Sequence, residues 1–178
     1  MHVEGDALAA CRDRALLLLG QRAHSAGELM VKLLRKGFPR QVNEEVIRDL
    51  NRVGLVDDAA FAAAFCEERL RGSRPLGRMR LQAELRRRQV DSAIATHAIE
   101  EAFGKGGEDL EYDVALRAGR GKWRSLTRSA GRDPAKARDS LYRFLAGRGF
   151  AGNICRRVVD SLQAGTEHSD ENREFWSV

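Results

Sequence analysis

The sequence predicts an all-α protein made of three tandem three-helix-bundle repeats that form an elongated, curved body. Three observations predict this. Apolar residues recur at helical spacing, and no β-branched alternating run interrupts them. Leu, Ala, Arg and Glu dominate while aromatics are only 6% of residues, so the cores must be built from aliphatic side chains. One hairpin pattern also occurs three times with the same internal offsets. Leu29, Leu33, Gly37 and Phe38 lead to Val42, Val46, Ile47 and Leu50. Leu81, Leu85, Gln89 and Val90 lead to Ile94, Ala98, Ile99 and Ala102, and Leu141, Leu145, Gly149 and Phe150 lead to Ile154, Val158, Val159 and Leu162. Two short antiparallel helices cannot bury both stripes alone, which calls for a third helix per unit and for tandem neighbours.

Each element has a local reason. Residues 1–5 are a short tail, and the first repeat spans 6–55. Its first helix, from Asp6 to about Gln21, carries Ala7, Leu8, Cys11, Ala15, Leu16, Leu18 and Leu19 on one side. Ser25 and Glu28 form a capping box that starts the second helix, and Leu29, Met30, Leu33 and Leu34 give it a broad apolar stripe. Gly37 supplies the left-handed residue that ends it, Phe38 tucks under that end, and Pro39 opens the third helix.

The second repeat spans 56–105. Gly54 stops the preceding helix, Asp57 or Asp58 caps the next, and Phe61, Phe65 and Leu70 are its buried side. Gly72 to Leu76 is a turn, the second hairpin begins at Gly77, and Gly104 to Gly107 is a flexible joint. The third repeat spans 106–165 and opens with a helix from Asp109 to about Gly119, with Leu110, Val114 and Leu116 inward. Gly119 to Gly131 reads as an irregular stretch, Asp133-Pro134 starts the third hairpin, and 166–178 is a polar tail.

Composition narrows the functional classes. A net charge of +5 and a pI near 9.5 suit an acidic partner. Cys11, Cys66 and Cys155 are odd in number, dispersed and on or beside apolar stripes, which argues for core positions in a reducing compartment and against a disulfide framework. The four histidines have no metal-ligand spacing, and His97 reads as a helix-surface residue. Charges interrupt the first apolar run, so no signal peptide is recognisable, and no run is long enough to span a bilayer. The reading is of a monomer without cofactor, metal or membrane contact.

Basic residues gather in two places. Arg69, Arg71, Arg74, Arg78, Arg80, Arg86, Arg87 and Arg88 share the stretch 69–88 with a single carboxylate, Glu84. Arg117, Arg120, Lys122, Arg124, Arg128, Arg132, Lys136, Arg138 and Arg143 form a second group around Trp123. Arginine forks onto phosphate or carboxylate, and an indole among such residues can stack on a base, so these are the candidate partner and DNA contacts; solvated helix faces are the alternative. A helix-turn-helix mode is disfavoured, because the last helix of the first unit carries Glu44, Glu45 and Asp49, and residues 91–102 contain no Lys or Arg. DNA contacts should then run through the middle helices and loops, be weak and electrostatic, and take single or double strands.

Enzyme readings fail on spacing. Gly121-Lys122 is followed by Trp123 instead of Ser or Thr, and Leu116 stands where a phosphate loop needs glycine. Glu44-Glu45 and Glu100-Glu101 are helix neighbours that do not face each other, unlike an acid/base pair.

With these residues in place the chain resembles the RecX regulators of the bacterial RecA recombinase. Arg22, Ser25, Glu28, Leu29, Lys32, Leu33, Lys36 and Gly37 carry the resemblance in the first unit, and Leu55, Asp57, Asp58, Phe61, Ala62, Phe65 and Arg69 at the second boundary. Gly77, Arg80, Leu81, Glu84, Leu85 and Arg88 carry it in the second hairpin, and Arg143, Phe144, Leu145, Arg148, Gly149 and Phe150 in the third. The similarity covers about residues 7–163. Gln89 departs from it where glycine is usual, and 119–131 matches no part of it. The resemblance implies a cytoplasmic modulator with no enzymatic activity, which binds the RecA filament on DNA and usually restrains its growth and activity. The alternative is a general DNA-binding helical module that acts without RecA.

Overall fold

Ser25 shows how this chain starts a helix. Its Oγ accepts the amide of Glu28 at 3.0 Å, and α2 (Ala26–Arg35) begins immediately after it. The structure is a computed structural model that describes residues 2–129 and 133–175, leaving out the side chains of 2–4, 105, 129 and 166–175. Among the described residues all regular elements are helical. Around α2 these are α1 (His2–Leu19), α3 (Arg40–Arg52), α4 (Asp58–Arg71), α5 (Arg78–Arg87) and α6 (Ser92–Phe103). A 3₁₀ turn at Gly104–Gly106 then leads to α7 (Gly107–Ser129), α8 (Pro134–Gly147) and α9 (Gly152–Phe175). The chain folds as two units, one of residues 1–66 and 82–101 and the other of 67–81 and 102–178.

In the first unit α1, α2 and α3 pack on one another. Cys11, Ala15, Leu29, Leu33, Val46, Ile47, Leu50 and Val56 form the buried cluster, with Phe38 and Val42 against it. The stripes come from the helical period, and the turn from Gly37. At φ 89° it lets its own amide reach the Leu34 carbonyl at 3.0 Å and the amide of Phe38 reach that of Leu33 at 3.3 Å. Pro39 is the residue before α3 and not its first. Only half of the expected capping box forms, because the Glu28 carboxylate turns to arginines instead of back to the cap. Asp57 caps α4 through the amide of Ala60, while Asp58 accepts the first amide of α2 at 2.7 Å. Gln89, in the turn after α5, takes φ 59°, the one positive value outside glycine among the described residues.

In the second unit α7, α8 and α9 pack on one another. Here the sequence reading needs correction. The stretch from Gly119, expected to be irregular, is helical through Ser129. Its buried stripe is Glu111, Ala115, Gly119 and Trp123 at four-residue spacing, with Val114 beside it, and Leu110 points outward. Gly119 lies there because a Cβ would approach Val158 and Leu162 of α9 at 3.3 and 3.4 Å, so its absence lets the helices come close. Asp133 caps α8, accepting the amide of Lys136 at 3.1 Å, with Pro134 next as its spacing predicts. The joint at 104–107 is a tight turn with positive φ at Gly104 and Gly107. α9 runs to Phe175, so helical backbone continues into the stretch read as a tail.

Candidate functional site

The most regular basic surface is a helix face. Arg120, Arg124 and Arg128 lie on the exposed side of α7, four residues and therefore about 6 Å of rise apart. Arg117 precedes them one turn earlier and donates Nη2 to the carbonyl of Leu70. The helix that replaces the expected loop thus turns a run of arginines into a line of charge. Trp123 does not belong to that surface. It is buried at 6% exposure, and its ring serves the core instead of a stacking partner. Lys122 is half-buried, Lys136 is exposed beside Asp133, and Arg143 is exposed with Nε on the carbonyl of Asp139 at 3.3 Å. Arg132 lies outside the described residues. Arg138, of the same group, pairs at the surface with Asp160 at 2.9 Å and also donates to Gln163.

The first arginine group is divided between the units. Arg69, Arg71, Arg74, Arg78 and Arg80 belong to the second, and Arg86, Arg87 and Arg88 to the first. Arg71 and Arg87 are exposed and pair with Glu67 and Glu84, and Arg69 sits by Glu68 at 3.8 Å. Arg74, Arg80 and Arg86 are exposed. Two members are structural. Arg78 donates Nε to the buried Glu111 at 3.1 Å and lies 4.2 Å over the ring of Phe103. Arg88 pairs with Glu28 at 3.2 Å and lies 4.8 Å over the ring of Phe65. Burial alone would raise the Glu28 carboxyl, but hydrogen bonding and charge from Arg22, together with Arg88 and His24, leave it below the usual range.

Burial pushes the thiols of Cys66 and Cys155 up to about 11, with Glu111 adding to the effect at Cys155, so neither is a ready nucleophile. Among the described residues no group of three or more His, Cys, Asp and Glu could hold a metal, and no helix is long and apolar enough to cross a membrane.

Sequence reasoning singled out His97, which is an exposed helix residue, and passed over His24, which is buried. Its signal was position alone, one residue before the Ser25 cap. Lys32 Nζ lies 2.6 Å from Nε2 of His24, and Nδ1 lies 2.9 Å from the carbonyl of Arg22, which fits a neutral ring with its proton on Nδ1. Burial, with the charges of Arg22 and Lys32, holds its pKa below 6.5 against the opposing pull of the carbonyl and Glu28. The folded state therefore binds this proton less readily than the unfolded chain. The contribution is full above the unfolded pKa and is lost as pH falls through the folded value. Melting temperatures taken from about pH 7 down to about pH 5 should fall more for the wild type than for His24→Gln.

Models of the RecX domains match the chain in order, the first three-helix domain at residues 11–50, the second at 57–99 and the third at 108–159. Regulatory protein RecX of Chlorobium limicola is 35% identical over 154 residues, which cover 86% of this chain and 90% of that protein. The chain belongs to the RecX family. Regulatory protein RecX of Halorhodospira halophila is 31% identical over 176 residues, 98% of this chain and 97% of its own. The crystal structure of RecX from Lactobacillus salivarius superposes with a TM-score of 0.75 at 17% identity, covering 90% of this chain and 99% of that one. The all-helical architecture is therefore that of RecX, and membership gives this chain a regulatory role.

Proposed function

We propose that this RecX-family chain is a negative regulator of the RecA recombinase. It binds the RecA–DNA filament and limits its assembly together with its recombinase and co-protease activity. The observation that carries this reading is the run of three RecX domains in order along one chain. Exposed arginines in both units support it, since weak contacts made at several places on a polymer add through effective concentration. The line of charge on α7 favours the second reading, a DNA-binding module that needs no protein partner.

Titration of the protein against naked single-stranded DNA and against RecA filaments, at two salt concentrations, separates the two. Much tighter and less salt-sensitive binding to filament supports the regulator, whereas equal binding supports the DNA module. Charge reversal at Arg86 and Arg87 should weaken filament restraint about tenfold, as expected for removal of interface arginines, with the helical circular-dichroism signal intact. Arg88 is left unchanged in that variant because it holds Glu28. Unaltered restraint would remove this pair from the interface.

A further inference from the structure

The arginine line on α7 has a spacing and a setting as well as a charge. Arg120, Arg124 and Arg128 are exposed, and among the described residues no carboxylate pairs with any of them. Elsewhere in the same unit Arg78 meets Glu111 at 3.1 Å, Arg138 meets Asp160 at 2.9 Å and Arg157 meets Asp109 at 3.5 Å. Arg128 donates Nε to the carbonyl of Arg124 at 3.1 Å, which lays its side chain back along the line. Like charges four residues apart weaken a helix, so the row opposes α7 until an outside anion neutralises it.

Two features flank the row. Gly121 shares its exposed face and is the helical neighbour of Arg117 and Arg124. Glycine weakens a helix interior, and at Gly119 the approach of α9 explains it. At Gly121 a Cβ would meet nothing within 4 Å, so no packing inside the described chain uses the bare backbone there. A partner that lies close against α7 does use it. On the other side a cleft of about 420 Å³ opens between α7 and α9, lined by Arg120, Trp123, Arg124 and Leu162. Leu162 and the small exposed part of Trp123 give it an apolar wall between two guanidinium groups.

We infer that α7 is a single-strand interface, in which Arg120, Arg124 and Arg128 take three successive phosphodiesters of one polynucleotide strand and the cleft receives a base. Four residues of helix rise about 6 Å, close to the separation of neighbouring phosphates along one extended strand. The arginine fork suits the two free oxygens of each phosphodiester, and Gly121 lets the strand lie against the helix. A duplex strand curves around its axis and turns its bases inward, whereas a single strand can straighten along α7 and offer a base to the apolar wall. An acidic helix has carboxylates at the same spacing but no flat group for the cleft. The inference deepens the reading of α7 as a DNA contact and requires no property of the RecA filament.

The test uses the full chain without RecA, and follows binding of a fluorescent oligothymidylate by anisotropy over a range of salt. Arg120→Gln, Arg124→Gln and Arg128→Gln should each make the salt slope shallower by about 0.7, and the triple variant by about two. Arg156→Gln, an exposed arginine of α9 away from the line, is the control and should keep the wild-type slope. Gly121→Ala should melt higher yet bind about fivefold more weakly, as an added methyl does in a close contact; a purely structural glycine would change melting alone. An abasic strand of equal length should bind at least about fivefold more weakly with the slope unchanged. The inference is overturned if the triple variant keeps the wild-type slope, if Gly121→Ala binds as the wild type does, or if the abasic strand binds as well as oligothymidylate. It is equally overturned if duplex or polyglutamate of equal charge binds as tightly as the single strand. DNA binding that survives unchanged in the triple variant removes this site and leaves the DNA-module reading standing, whereas a wild type that binds no DNA removes both.

Discussion

Leu145→Ala is expected to lower the free energy of unfolding by about 2–5 kcal/mol, a large part of the 5–15 kcal/mol typical of a domain. Leu145 is fully buried on α8, and the carbonyl of the same residue accepts the amides of Arg148 at 3.0 Å and Phe150 at 3.3 Å, which closes the turn. The substitution keeps those backbone bonds and the helix propensity, so the loss should come from the vacated volume alone. Urea unfolding followed at the helical circular-dichroism band should show a lower midpoint with an unchanged slope. Leu33→Ala, at the matching place in the first unit and also fully buried, should behave likewise. A loss under about 1 kcal/mol for either would mean that the cavity closes and that the hairpin stripe is not the core.

That stripe is also why the hairpins were legible in the sequence. Leu29 and Leu33, or Leu141 and Leu145, stand at helical spacing beside an unambiguous stop such as Gly37 or Gly149, so pattern and punctuation agree. α7 was not legible because its inward side is Glu111, Ala115, Gly119 and Trp123, one large apolar residue in four turns, which no hydrophobic period reveals. Gly119 read as a breaker, yet what it provides is room for α9. The sequence from Thr166 to Glu174 holds no aliphatic or aromatic residue, so no hydrophobic period marks a helix there. The arginines were visible as two groups, but their roles were not. Arg78 and Arg88 lie among the same neighbours in sequence as Arg74 and Arg86, and only the tertiary partners Glu111 and Glu28 separate internal ion pairs from exposed charge.

Gly27→Ala is expected to destabilise the first unit, and the sign of that effect is itself informative. Gly27 lies inside α2 with no positive φ, so helix propensity alone predicts that alanine gains about 1 kcal/mol. Packing predicts the reverse. A Cβ there would overlap the Cβ of Gln89 and stand 2.7 Å from the Gln89 carbonyl oxygen, and neither atom is the end of a flexible side chain. Overpacking of this kind costs about 1–3 kcal/mol, occasionally more, which exceeds the propensity gain. Gln89→Gly removes one of the two obstacles and relieves a left-handed residue that costs about 1–2 kcal/mol outside glycine. The double variant should therefore recover part of the loss, with a coupling of about 0.5–3 kcal/mol, but not all of it, because the carbonyl remains. Gly77→Ala, at the α5 turn junction of the second unit, is the contrast. Its Cβ would meet only backbone, the carbonyl group of Gly149 and the amide nitrogen of Phe150 at 2.5 Å, so no substitution at position 149 can relieve it. Equal rescue of both glycine variants by changes at the facing turn would show that the two junctions are held by side chains and not by direct backbone approach.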